Sequence, residues 1–370
     1  MAQKVTKTDK TFMFNPYTLL AGALIVLLGL GWFGRPLAPD SGAFTVGAIL
    51  PLTGDLASLG QEVRRGIELA TADANVKGIT VQVDYQDDQT LIATAVANAA
   101  NKIVNIDHAQ AGLTMIIEEA RPAIPIFENA RVPLLVLWDS NEYLKTAGQY
   151  VFSNGFSTEK AGQKMADYAF RTLHLTHVAV VGHADAWADI IGPAFISEFE
   201  KLGGTIVFNE SVAVETTDYR SVIAKVKQVN PDGIYFPLIP PTSAPFLTQL
   251  KQNGVKAILL AGDAFTQDMI VGAGDAAEGV YLTNIYSFSD DPSGLSAKYE
   301  KQYGTVPFDL ALLTFGYDGL NKLLEAGQKG GTFTSVGIKA GLDSLYGLER
   351  SPNREEKIYQ VRGGIPVEVP

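Results

Sequence analysis

The sequence predicts two consecutive α/β domains behind a single membrane-spanning segment. Three observations carry this: a long uncharged run near the start, strand and helix patterns that alternate after it, and a break in the alternation at 151–159.

The uncharged run extends from Thr11 to Gly34, and its centre reads YTLLAGALIVLLGLGWF. At about 1.5 Å per helical residue it reaches about 36 Å, enough to cross a hydrocarbon core of about 30 Å. Lys4, Lys7 and Lys10 precede it and Arg35 alone follows, which favours a cytoplasmic N-terminus. Tyr17 and Trp32 stand where interfacial aromatics anchor the ends of a span. A cleaved signal peptide is the competing reading, but its apolar core is usually shorter, and Pro36-Leu37-Ala38 is a poor cleavage site. Residues 1–40 are therefore expected to stay attached as a cytoplasmic tip and transmembrane anchor. The protein would then be a single-pass cell-membrane protein with its bulk on the extracytoplasmic, periplasmic side.

Beyond the anchor, Phe44–Leu50 reads as a buried strand, followed by a helix from about Leu59 to Asn75. TVQVDY at 80–85 alternates at period two, and Asp87 and Asp88 precede an alanine-rich helix over 91–105. VPLLVL at 132–137 is a further buried strand. After the break, a helix at 160–173 leads to HVAVVG at 177–182, a helix near 190–202 and TIVFNESV at 205–212. A helix at about 219–229, GIYFPL at 233–238, a helix near 244–253 and AILLAG at 257–262 continue the cycle. Strands that alternate with helices imply parallel sheets covered on both faces, and ligands of such sheets bind beyond the carboxyl ends of the strands. Here those ends are 51–54, 87–89, 117–119, 138–140, 183–187, 238–241 and 263–265, so two facing domains would enclose a cleft.

Composition narrows the function. A chain of 370 residues with 46% hydrophobic and 19% charged residues is that of a folded globular protein. It has no cysteine, which excludes thiol chemistry, cysteine-ligated zinc and disulfides. The formal net charge is −11, and more negative still beyond residue 40, which argues against nucleic acid as a partner. His174 and His177 lie between a helix and a strand with no carboxylate at useful spacing, and His183, Asp185 and Asp189 are no better as metal ligands. Gly272-Ala-Gly274 lacks the strand and third glycine of a dinucleotide fingerprint, and no GxSxG elbow or phosphate loop is present. No enzyme, metal or cofactor is expected.

Several segments are recognisable together: PLTG at 51–54, LASLGQEVRRGIELA, YQDDQT before the alanine-rich helix, and VAVVGHADAWADIIGPAFISEFEKLGG. DYRSVIAKVKQVNPDGIYF, AGDAF at 261–265 and FGYDGLNKLLEAG at 315–327 continue the series. From about residue 44 to the end, the chain resembles the type I periplasmic binding proteins, in the branch of the leucine/isoleucine/valine-binding proteins. The resemblance implies two lobes joined by three crossovers, placed at 151–159, near 282–287 and near 347–350. Lobe 1 would comprise 41–155 plus 284–347, and lobe 2 would comprise 156–283 plus 348–370. It also implies an ABC transporter receptor that closes around an amino acid or amide-like small polar solute and delivers it to a permease. A sensory ectodomain working through a separate partner chain is the alternative, and an orphan copy that no longer binds amino acids is a third. Gly66 sits mid-helix, where glycine costs about 1 kcal/mol relative to alanine. It is expected to let that helix pack closely on the first sheet, with PLTG bordering the cleft.

The resemblance also assigns candidate ligand-binding residues. Asp263 aligns with the acid that receives the ligand ammonium, although it could instead cap a helix beginning near Thr266. Trp187 matches a cleft aromatic, with core packing as the alternative. Ser140 fits a hydrogen-bonding role, whereas Trp138 is larger than the family's usual residue there. Ile239 and Pro240-Pro241 occupy a region where a family aromatic often lies. The main departure is IIEEAR at 116–121, in place of a serine-rich turn that receives the ligand carboxylate. Glu118 or Glu119 in the cleft would repel a carboxylate. Alternatively, both lie on the first helical turn, favourable to its dipole and facing solvent.

Overall fold

The computed structural model describes residues 42–240, 242–288, 291 and 293–370. The expected span at 11–34 lies outside them. Among the described residues no helix is long and apolar enough to cross a membrane.

The elements follow in chain order as β1 (Phe44–Leu50), α1 (Ala57–Val76), β2 (Val81–Asp87), α2 (Ala93–Asn105), β3 (Ala111–Thr114) and α3 (Ile117–Ala130). Next come β4 (Leu134–Val136), β5 (Asp139–Ser140), α4 (Glu142–Thr146), β6 (Val151–Ser153), β7 (Phe156–Ser157) and α5 (Thr158–Arg171). The chain continues through β8 (His177–His183), α6 (Ala188–Lys201), β9 (Thr205–Val212), α7 (Arg220–Val229), β10 (Gly233–Phe236), α8 (Ser243–Gln252), β11 (Ile258–Ala261) and α9 (Gln267–Ala273). It ends with β12 (Tyr281–Asn284), α10 (Leu295–Tyr303), α11 (Leu310–Lys329), α12 (Ser335–Tyr346), β13 (Lys357–Arg362) and β14 (Ile365–Val369).

These strands form two principal sheets. The first, in the order β2-β1-β3-β4-β6, is parallel throughout. The second runs β14-β13-β12-β11-β10-β8-β9. Its β8 to β12 ladder is parallel, but β13 and β14 add antiparallel strands at one edge. This departs from the expectation of a purely parallel second sheet. The last two strands form a hairpin: Gly363 and Gly364 both take positive φ, 60° and 78°, which is what a two-residue hairpin turn requires.

The chain passes between the sheets three times, after β6, after β12 and before β13. Beside the first passage, β5 and β7 form a small parallel ladder that pairs Asp139 with Phe156 and Ser140 with Ser157. Apolar strands such as Phe44–Leu50 and Leu134–Val136 are almost wholly buried, as expected of strands covered on both faces.

Gly66 has a different neighbour from the one expected. A Cβ there would lie 2.0 Å from the Leu313 carbonyl oxygen on α11, and one on Gly316 would lie 2.0 Å from the Val63 carbonyl oxygen on α1. Two helices therefore approach backbone to backbone through reciprocal glycines, while the same helix also packs on β1 and β2 of the first sheet. That close approach is what the propensity cost of Gly66 secures.

Candidate functional site: an acid-lined cleft between the sheets

The loops at the carboxyl ends of both sheets converge on one cavity of about 480 Å³, counting the part open to solvent. Loops after β3 and β4 supply Met115, Ile116, Trp138 and Asp139, and the first turn of α3 supplies Glu118. From the other sheet come Trp187 after β8, Ile239 and Pro240 after β10, and Asp263 and Ala264 after β11. Leu56, Leu59 and Leu91 complete an apolar wall.

Asp263 is the centre of the cross-cleft bonding. It is 2% exposed. Its Oδ2 accepts from Trp138 Nε1 at 2.9 Å, and its Oδ1 accepts from Trp187 Nε1 at 3.2 Å. One indole comes from each sheet. Asp263 does not cap the helix that follows, because Thr266 holds the N-cap position of α9. Burial pushes its carboxyl up to about 7, against the two indole bonds that lower it. Trp138 also stacks on Phe315 of α11 at 5.2 Å between ring centroids. Trp187 packs over Gly262, where a Cβ would come within 2.8 Å of the indole. Both tryptophans are buried, so each is a wall of the cavity as well as a donor.

Both glutamates of the 116–121 segment stand on the first turn of α3, Glu119 buried and Glu118 half-buried on the cleft side. Glu118 lines the cavity, where its Oε1 accepts from the Trp187 backbone N–H at 3.1 Å and its Oε2 is buried without a hydrogen-bond partner. Glu119 is fully buried and turns back to accept from the amides of Met115 and Ile116, the latter at 3.3 Å. Of the two alternatives, the one with both acids in solvent is therefore corrected. Residue i+3 of a helix start can reach back to the amides before the helix, which fixes Glu119 inward and leaves Glu118 on the cleft side.

Asp139, which the sequence reading passed over, is 2% exposed, lines the cavity and accepts the Ile117 amide at 2.6 Å. Its signal was a carboxylate set directly after the buried strand VPLLVL, where burial is costly without a partner. Burial raises its pKa well above the ordinary range, and the charges of Glu118 and Asp263 raise it further. Burial, followed by the charge of Asp185, pushes Glu118 up to about 7.

Ile239 reaches the cavity because its backbone N–H donates to His183 Nδ1 at 3.1 Å. His183 Nε2 meets Thr242 Oγ1 at 2.9 Å. Burial pushes this histidine down to about 4, so it is a neutral pin for the loop after β10. Ser140 is placed elsewhere: it is buried in the β5–β7 ladder and is not part of the cavity wall. Pro241 lies outside the described residues. Among the described residues no group of acids and histidines is arranged to hold a metal ion.

Hydrogen bonds join the two sides of the cleft at several points. Besides Trp138–Asp263 and Glu118–Trp187, Ser58 on α1 donates to Asp268 on α9, and the Gln267 amide donates to Asp309 at 3.1 Å. Asp309 is the N-cap of α11, so this last bond ties a helix start of one side to that of the other.

Comparison with known proteins gives a consistent result. The chain is 26% identical over 305 residues to the Leu/Ile/Val-binding protein homolog 2 of Brucella abortus (strain 2308), which covers 78% of each chain. Its fold matches the leucine binding protein LivK of Thermotoga maritima MSB8, with a TM-score of 0.81 at 24% identity over 89% of this chain and 98% of that one. It also matches a solute binding protein of an R. palustris ABC transporter in complex with benzoate, with a TM-score of 0.78 at 19% identity over 89% and 96%. The periplasmic binding protein family matches residues 43–359, which takes in the first sheet, the parallel part of the second and every residue of the cavity wall. The chain belongs to the periplasmic binding protein family.

Proposed function

We propose that this chain is the solute-capturing component of an ABC transporter, holding a small polar solute in the cleft between its two sheets. The observation that supports this most directly is the cavity walled by loops from both sheets and crossed by Trp138–Asp263. Relatives named for leucine, isoleucine and valine, and one holding benzoate, place carboxylate-bearing solutes within the family's reach.

In this reading, solute contacts from both lobes stabilise the closed arrangement over an open one, and no bond is made or broken. The three passages between the sheets are the hinges. The segment at 11–34 holds the protein at the membrane, with the cleft on the extracytoplasmic side and a permease as partner. Uptake of labelled solutes by a strain lacking this chain tests it. Loss of uptake of one solute class, restored by the intact gene and not by an Asp263→Ala version, is the expected outcome. Unaltered uptake of every solute, together with co-purification of a signalling protein, would favour the sensory role instead.

A further inference from the structure

The walls of the cavity differ in charge from what a carboxylate-bearing solute needs. Its described lining holds three carboxyl groups, Glu118, Asp139 and Asp263, and no lysine, arginine or histidine. Arg121 is the positive group that acts on Glu118, and its guanidinium is engaged 4.7 Å over the Tyr143 ring.

A helix start could still receive a carboxylate through its free amides. Here the amides that lead into α3 are already engaged. Met115 and Ile116 donate to Glu119, and Ile117 donates to Asp139. The protein's own acids thus occupy the place where a solute carboxylate would dock. What remains open is an acceptor: Glu118 Oε2, buried and without a partner, in a group that lines the cavity.

On the reading that this cleft is a solute site, we infer that its solute is an organic cation without a carboxylate, its positive group held between Glu118 and Asp139 on one side and Asp263 on the other. The apolar remainder lies against Leu56, Leu59 and Ile239, and the faces of Trp138 and Trp187 favour a positive group beside them. A cation entering this space relieves the mutual repulsion of the buried acids, whereas an anion adds to it. A zwitterion gains at its ammonium and loses at its carboxylate.

Three probes that share one branched skeleton separate these cases: isoamylamine, leucine and 4-methylpentanoate. They are titrated calorimetrically into the full-length protein in detergent. Isoamylamine is expected to bind at least about tenfold more tightly than leucine, and 4-methylpentanoate more weakly still. Glu118→Gln is expected to weaken isoamylamine by about tenfold or more while leaving leucine unchanged or improved. Asp139→Asn provides a second variant with the same expected sign should Glu118→Gln fold poorly. Tighter binding of leucine or 4-methylpentanoate than of isoamylamine overturns the inference and leaves the solute-receptor reading standing. A neutral solute that binds while all three probes fail does the same. If no solute of any charge binds, both the inference and that reading fall.

Discussion

Trp138 Nε1 donates a 2.9 Å hydrogen bond to Asp263 Oδ2, linking the loop after β4 in one sheet to the loop after β11 in the other. Trp187, from the same sheet as Asp263, bonds the second carboxylate oxygen. A buried carboxylate that would otherwise be costly is thereby satisfied from both sides of the cleft. The same bond makes Trp138 a latch between the lobes, a role its size alone does not suggest.

Replacing Trp138 by Phe keeps the stacking on Phe315 and removes the donor. A hydrogen bond to a charged group contributes about 1.5–3 kcal/mol. Without solute, Trp138→Phe is therefore expected to shift the lobes toward separation. Spin labels at Thr94 on α2 and Thr217 in the loop after β9, exposed positions on the two sides of the cleft, would report a broader and longer distance distribution than in the parent protein. An unchanged distribution would show that the indole bond does not hold the lobes together.

Asp263→Ala removes the acceptor of two indoles and, in this account, the counter-charge of the solute. Truncating one partner of a buried charged pair costs about 2–5 kcal/mol. Calorimetry on the variant should show solute affinity reduced by that amount, with circular dichroism confirming a folded protein. Affinity within about 0.5 kcal/mol of the parent, the range of a surface substitution, would remove Asp263 from the site.

Gly66→Ala would gain about 1 kcal/mol in helix propensity but places a methyl group 2.0 Å from the Leu313 carbonyl. Backbone cannot yield as a side chain can, so overpacking of about 1–3 kcal/mol or more is expected to win. Urea unfolding should show a lower midpoint for Gly66→Ala, and for Gly316→Ala as its mirror. A raised midpoint would mean that α1 and α11 part without cost.

The acids of the cleft make stability fall with pH. Glu118 and Asp263 are both pushed up to about 7, chiefly by burial, and Asp139 well above its ordinary range. Asp185, beside Glu118, is raised as well, also by burial. A raised carboxyl pKa means the folded protein holds more protons than the unfolded chain, so this contribution is present at low pH and lost as pH rises through the folded value. His183, pushed down to about 4 from an ordinary 6.5, acts in the opposite direction between those values. The carboxyl effect therefore stands clear above pH 6.5. The solute-free thermal midpoint should be lower at about pH 8 than at about pH 6.5, and Glu118→Gln should shrink the difference. A midpoint that rises over this range would contradict the buried, mutually repelling arrangement.

Much of this was legible in the sequence, for physical reasons. The β-branched stretches VAVV at 178–181 and TIVF at 205–208, too short for helices and set between helical patterns, read as strands, and both are. β3 was not read, although it is central to the first sheet and fully buried. Its four residues, AGLT, have weak strand propensity, and Gly112 is there because a Cβ would meet the Phe127 ring at 2.3 Å. The site divides in the same way. Glu118, Trp138, Trp187, Ile239 and Asp263 follow strand ends or open a helix, and all five line the cavity. Ser140 also follows a strand end, yet the ladder with β7 draws it away, a pairing that no local pattern announces. The inward turn of Glu119 and the capping role of Asp139 depend on which amides lack partners, and that is known only once the helix start is built.

The central claim is that a solute bound between Glu118, Asp139 and Asp263 draws the two lobes together. The chain has no native cysteine, so Thr94→Cys and Thr217→Cys can be spin-labelled in the full-length protein without side reactions. Electron–electron double resonance then gives the distance between the sheets with and without saturating isoamylamine, in the parent and in the Asp263→Ala protein. The account predicts a shorter, narrower distribution on adding the amine to the parent, and no change in Asp263→Ala. A calorimetrically verified solute that leaves the distance untouched, or that shortens it equally in Asp263→Ala, would contradict it.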